Sequence, residues 1–283
     1  MLYTYIFSLF IILVGFSVYP LISKKYIGSV GYRKFIPIFL GFSSIGTLIV
    51  PFIIYRSLSF DIAYLPLLAI LGAMYTLGMY LMLYSVEHYN ISIINTIVGS
   101  QEVLIALFSS IFFFISDLHS IILPFLIIIG GIVFLLFNTN GKAKFSKYVV
   151  FTLLAVLLWV FMWVLFYTIN TNLPLLYYAI LQSFAFLFCL PVAFLQNRHK
   201  SIIYYVSDKK FKYIVLAGIL NGVATVVFSF AYKFNAVLTP FVAQLGIPIV
   251  IVASFLLLGE RAKKLGLIGI TLITIGSFLY ILV

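Results

Sequence analysis

The 283 residues are 65 % apolar and only 8 % charged, so no stretch is polar enough to form a soluble catalytic domain. The net charge of +11 would suit nucleic acid if it formed a surface, but the basic residues are confined to short breaks between long apolar runs. Runs of about 20 apolar residues are long enough to cross hydrocarbon as helices, where a helix satisfies its own backbone polar groups. The roughly ten-residue alternating segments of a membrane β-barrel are missing.

The first run, near 3–23, has no basic segment before it and no small-residue cleavage site after it, so it reads as a retained span rather than a signal peptide. Further spans are expected near 35–55, 62–86, 91–115 and 120–137, then near 148–168, 173–194, 211–232, 236–258 and 264–283. The fold class is therefore an all-α membrane protein of ten transmembrane helices, a multi-pass protein of the plasma membrane.

On the third span Thr76, Tyr80, Tyr84 and His88 recur every fourth residue and share one helix face. On the fourth, Asn95, Gly99, Glu102, Ala106 and Ser109 do the same at spacings of three and four. Glu102 is the one acid expected deep in the bilayer. A charge there costs on the order of several kcal/mol, so it should face protein or water and carry a function. It can hold a proton or bind an ammonium group, or it can be a structural Glu bonded to Gln101 or Asn95.

The sixth span offers Trp159, Trp163 and Tyr167 one turn apart, either an aromatic wall for a ring or organic cation or plain packing. The seventh carries Gln182, Ser183 and Cys189. A single cysteine excludes an intrachain disulfide or thiolate cluster, and Cys189 itself reads as a small buried residue. The eighth span repeats the polar stripe with Asn221, Thr225, Ser229 and Lys233. Both stripes fit a cavity wall, and both fit interhelical hydrogen bonding. Lys233 and His88 are candidate charges at a cavity mouth, although a lysine there also reaches headgroups by snorkelling. On the ninth span Gln244 is followed by Gly246 and Pro248, and the proline predicts a kink or hinge. His88, His119 and His199 show no metal-ligand spacing, so no metal or cofactor is expected.

Lys24, Lys25, Arg33 and Lys34 fall in the first loop. Lys142, Lys144 and Lys147 fall in the fifth, Arg198, Lys200, Lys209, Lys210 and Lys212 in the seventh, and Arg261, Lys263 and Lys264 in the ninth. Only Arg56 and Lys233 fall on the other side. This positive-inside pattern puts the odd-numbered loops in the cytosol and both termini outside; a patch for anionic lipid is the lesser reading.

The polar linker after Phe137 divides the spans five and five, giving a first repeat over 1–138, a linker over 139–146 and a second repeat over 147–283. At an offset of 145, Asn90 matches Asn235, Ser109 matches Ser254, Gly131 matches Gly276, and Gly99 matches Gln244. An odd number of spans per repeat inserts the second half upside down, and inverted repeats put a binding site near the midplane between them.

Phosphate-binding Gly-rich loops, HExxH, GxSxG and serial arginines are absent, so an ATPase, a zinc protease, a serine hydrolase or a voltage sensor is not indicated, and an enzyme is not expected. The run Leu256-Leu-Leu-Gly259-Glu260-Arg261, followed by the Gly-rich Lys264–Gly276 segment, resembles the end of an EamA repeat of the drug/metabolite transporter superfamily. In the first half Phe114-Ile-Ser-Asp117 stands where Gly-Glu would be, Gly130-Gly131 keeps the glycines, and Val14 replaces the usual Trp before Gly15. The resemblance implies two five-helix repeats, transport of amino acids, other small metabolites, nucleotide sugars, phosphorylated sugars or drugs, and termini in the cytosol; on the last point the charge count is followed instead.

The reading is a secondary transporter, an exporter or exchanger of small metabolites with amino acids favoured, its cavity between the third, fourth, eighth and ninth spans and closed by the first and sixth. Expected to bind substrate are Thr76, Tyr80, Asn95, Glu102, Trp159, Trp163, Asn221, Thr225 and Gln244, with Glu102 coupling protons. The partners are that small molecule, protons and lipid, not nucleic acid, for a monomer or homodimer. Alternatives are an organic-cation/proton antiporter and a non-transporting protein such as a lipid scramblase.

Overall fold

The computed structural model describes residues 2–55, 60–89, 91–113, 118–137, 147–169, 172–196, 210–259 and 264–282. The linker, the Phe114–Asp117 segment, Asn90, Arg56, His199, Glu260 and the neighbouring loop cations lie outside these residues, and nothing is described of the His119 side chain. Among the described residues the regular structure is helical throughout.

The first half comprises α1 (Leu2–Val30), α2 (Tyr32–Ile54), α3 (Leu65–His88), α4 (Ile91–Phe113) and α5 (Leu118–Phe137). The second comprises α6 (Lys147–Thr168), α7 (Pro174–Gln196), α8 (Phe211–Phe234), α9 (Leu238–Gln244), α10 (Gly246–Leu258) and α11 (Lys264–Leu282). Seven segments of the described residues are long and apolar enough to cross a membrane, with α9 and α10 together forming one of them. Shorter apolar stretches, Ile97–Phe113, Ile122–Phe134 and Leu267–Gly276, occupy three of the remaining expected spans.

Two boundaries differ from the sequence expectation for identifiable reasons. α1 continues to Val30, about two turns beyond the predicted end, so Lys24 and Lys25 stand on a helix rather than in a loop. It stops where Gly31 takes φ +82°, a backbone conformation that side chains disfavour. The ninth span is broken at Leu245, between α9 and α10. Pro248 has no N–H to continue the ladder and instead stands in the first turn of α10, where none is required.

The helices form a ring. α1 packs on α8, α8 on α2, α2 on α7, α7 on α3, α3 on α6, α6 on α4, α4 on both α9 and α10, and α10 back on α1. α5 and α11 pack mainly on each other, with α5 also touching α4 and α11 touching α9 and α10. Tyr5 stacks on Phe234 at 4.7 Å and Tyr26 on Tyr213 at 4.5 Å, so α1 and α8 run antiparallel. The outer face is apolar, with Phe52, Ile53, Leu126, Phe194 and Leu256 exposed as a lipid-facing surface requires.

At the α5–α11 crossing the backbones meet on two glycines. A Cβ at Gly131 would lie 2.7 Å from Gly269 O and 2.8 Å from Ile273 Cγ1. A Cβ at Gly276 would lie 3.0 Å from Pro124 O and 2.6 Å from Ile128 Cγ1. Small residues at a membrane helix contact permit this approach.

Candidate functional site

The centre of the ring holds a cavity of about 70 Å³. A water needs on the order of 10–15 Å³ of such space, so several waters or a small solute's head fit. α1 contributes Phe16 and Tyr19, α3 Tyr75 and Met79, and α4 Asn95, Val98, Gly99, Gln101 and Glu102. Opposite stand Trp159 and Trp163 of α6, Tyr178 of α7, Asn221, Thr225 and Phe228 of α8, and Ala243, Gln244, Gly246 and Ile247 of α9–α10.

The polar groups come from a few positions. Glu102 is buried and its Oε2 has no hydrogen-bond partner. Among the described residues no basic side chain pairs with it. Gln244 is fully buried, and both its Oε1 and its Nε2 are unpartnered. It is the last residue of α9, immediately before the break at Leu245. Gly99 makes room for this: Ile247 occupies the space a Cβ there would need, and Gln244 Oε1 lies 3.6 Å from that position. Buried polar atoms without partners are expensive, and here they converge on one cavity.

Asn221 is anchored rather than idle. Its Nδ2 donates to Ser43 Oγ at 2.9 Å and to the Tyr75 hydroxyl at 3.1 Å. Thr225 lines the cavity while its hydroxyl returns to the Asn221 carbonyl at 2.8 Å. The aromatic wall is tightly ordered: Trp163 stacks on Tyr178 at 4.9 Å with rings 6° apart, and Trp159 Nε1 donates to Tyr75 O at 3.4 Å.

Of the residues expected from sequence, Asn95, Glu102, Trp159, Trp163, Asn221, Thr225, Gln244 and Gly246 meet at this cavity. Thr76 and Tyr80 do not line it. Thr76 Oγ1 donates to Ala185 O at 2.8 Å, and the Tyr80 hydroxyl lies 3.4 Å from Cys189 Sγ, so both serve the α3–α7 seam. Pro248 also stands off the cavity. His88 is at the end of α3, its ring stacked on Tyr148 at 5.4 Å. Lys233 lies at the end of α8, where Nζ donates to Tyr167 O at 2.5 Å and Ile169 O at 2.6 Å.

Tyr19, Tyr75, Phe16, Phe228 and Tyr178 were not singled out by sequence. Tyr75 sits next to the Thr76 stripe, and one step of 100° around the helix moves it from the seam to the cavity. In a chain with 20 Tyr and 30 Phe, nothing in the pattern marks these few.

Residues 146–282 match the model of the EamA-like transporter family. No curated protein matches in sequence. A solved crystal structure, described only as that of a protein, superposes with a TM-score of 0.71 over 98 % of this chain and 96 % of its own, at 14 % identity; that likeness concerns the fold alone. Helices long and apolar enough to span a bilayer accord with the family match, and the protein is an integral, multi-pass membrane protein. What the comparisons show is a likeness of the second half of the chain, residues 146–282, to the EamA-like transporter family.

Proposed function

We propose that the protein is a secondary transporter that moves small amphipathic metabolites, amino acids first among them, by alternating access through the central cavity. The observation that carries this reading is Glu102, a buried carboxyl group with an unpartnered oxygen, in the same cavity as the unpartnered Gln244 amide and an aromatic wall. A carboxyl receives an ammonium, an amide receives a carboxylate, and the rings of Trp159, Trp163 and Tyr178 receive an apolar side chain. Among the described residues, no lysine or arginine lines the cavity to hold a phosphate.

The proposed frame is a pair of inverted five-helix repeats, 1–138 and 147–283, joined by 139–146. The packing supports it. Exchanging the halves turns α1–α8 into α6–α3, α2–α8 into α7–α3, and α4–α6 into the α9–α10 contact with α1, while α2–α7 and α5–α11 map onto themselves. Such a frame supplies two near-equivalent packings around one midplane site. In the proposed orientation the basic loops face the cytosol across the plasma membrane.

The test is uptake of a mixed, labelled amino-acid pool into proteoliposomes, with and without an imposed pH gradient. Accumulation driven by the gradient supports a proton-coupled amino-acid carrier, and no flux above empty liposomes overturns the amino-acid assignment. A second reading, an organic-cation/proton antiporter, is favoured by the rings of Tyr19, Tyr75, Trp159 and Phe228 around the same acid. Binding of tetraphenylphosphonium that weakens at low pH would select it.

A further inference from the structure

Two lysines tie together helices from opposite sides of the cavity, one lysine at each end of the ring. Lys24 of α1 donates from Nζ to Val86 O and Tyr89 O, both at 2.8 Å, at the C-terminal end of α3. Lys233 of α8 does the same to Tyr167 O and Ile169 O at the C-terminal end of α6. The last carbonyls of a helix have no partner within it and carry the negative end of its dipole. An ammonium is the donor best suited to both.

The two ties lie at opposite ends of α1. Tyr5 stacks on Phe234, beside Lys233, whereas Lys24 is 19 residues further along α1, about 30 Å away at 1.5 Å per residue. Each tie stands at the end of a line of residues that begins at the cavity. Towards Lys24, a second small cavity shares Tyr19, Asn95 and Val98 with the first, holds the unpartnered Ser23 Oγ and ends at Val86, whose carbonyl Lys24 holds. Towards Lys233, the cavity residue Trp163 meets Tyr232 at 5.6 Å, Tyr232 meets Tyr167 at 5.4 Å, and Lys233 lies 4.9 Å from the Tyr167 ring.

We propose that Lys24 and Lys233 are the latches of two gates, and that the cavity opens to one side of the membrane only when the lysine on that side leaves its two carbonyls. This rests on the reading of the cavity as a transport path. A latch built from a charge-assisted donor and backbone acceptors can re-form in register after each cycle, because the acceptors are part of the helix itself. Side chains at the carbonyl positions can vary without affecting it.

The experiment needs no substrate, so failure of the amino-acid assignment leaves it intact. In a Cys189→Ala background, Val98→Cys places one thiol between the two cavities. A membrane-impermeant maleimide is applied to sealed vesicles from each side. Lys24→Met should raise the labelling rate at least about tenfold from the Lys24 side alone, and Lys233→Met from the opposite side alone, the scale expected for loss of a hydrogen bond to a charged group. Lys→Arg at either position should restore the parent rate. Should a Met variant fail to fold, Lys→Gln, which removes the charge and shortens the side chain, takes its place with the same one-sided rise expected. Unchanged rates in both variants, or equal increases from both sides, would overturn the proposal.

Discussion

Gly131 and Gly276 make one contact twice: each lies against an isoleucine, Ile273 or Ile128, and a backbone carbonyl of the opposing helix. The two isoleucines are themselves separated by 145 positions, as are the two glycines. The contact therefore maps onto itself when α5 and α11 are exchanged. A large side chain at either glycine forces the same crossing apart. Gly131→Leu and Gly276→Leu should each destabilise by about 1–3 kcal/mol, and by similar amounts. Thermal unfolding of the purified variants in detergent checks this, and a cost confined to one of the two would show that the contacts are not equivalent.

Gly99 is the closest approach within the site. Ile247 fills the space beside it, and the far end of an isoleucine side chain can move, so Gly99→Ala should fold and retain most activity. Gly99→Leu should lower transport to below about a tenth of the parent rate, a loss of about 1.4 kcal/mol or more, because its side chain enters the cavity next to Gln244. Initial uptake rates in proteoliposomes, normalised to reconstituted protein, separate the two outcomes.

Glu102→Gln keeps the shape of the side chain and removes its ability to ionise. Accumulation driven by a pH gradient should disappear, while the fold is retained within about 1 kcal/mol. Downhill exchange of the same solute should persist. An unaltered pH dependence in this variant would show that the proton rides elsewhere.

Thr76 and Tyr80 provide the complementary case. Thr76→Val removes the hydroxyl that reaches Ala185 O and should cost about 0.6–1 kcal/mol of stability with no change in the apparent KM. Tyr80→Phe should behave alike. A several-fold rise in KM for either would mean that the α3–α7 seam opens onto the substrate path.

The membrane class, the positions of most spans and eight of the cavity-lining residues could be read from the chain because hydropathy and rare polar residues stand out against an apolar background. Glu102 and Gln244 are conspicuous for that reason. The rest was hidden by the same background. Thr76 and Tyr75 are neighbours in sequence, and a helix sends one to the α3–α7 seam and the other to the cavity, a choice that depends on rotation about the helix axis. The Lys24 tie was hidden because α1 was expected to end near Ser23, and Gly31, not the first cation, is what stops it. The break at Leu245 falls three residues before Pro248, where a kink was expected, and there one helix ends and another begins.

Position 102 has its counterpart at 247, an isoleucine. In the proposed frame of two repeats, the cavity carboxyl occurs once among the described residues, in the first half. Two end states related by exchange of the halves are thus not equal in energy, since the acid meets different surroundings in each. In that frame an empty carrier has a resting side, and the bias lies in one buried carboxyl group rather than in the shape of either half.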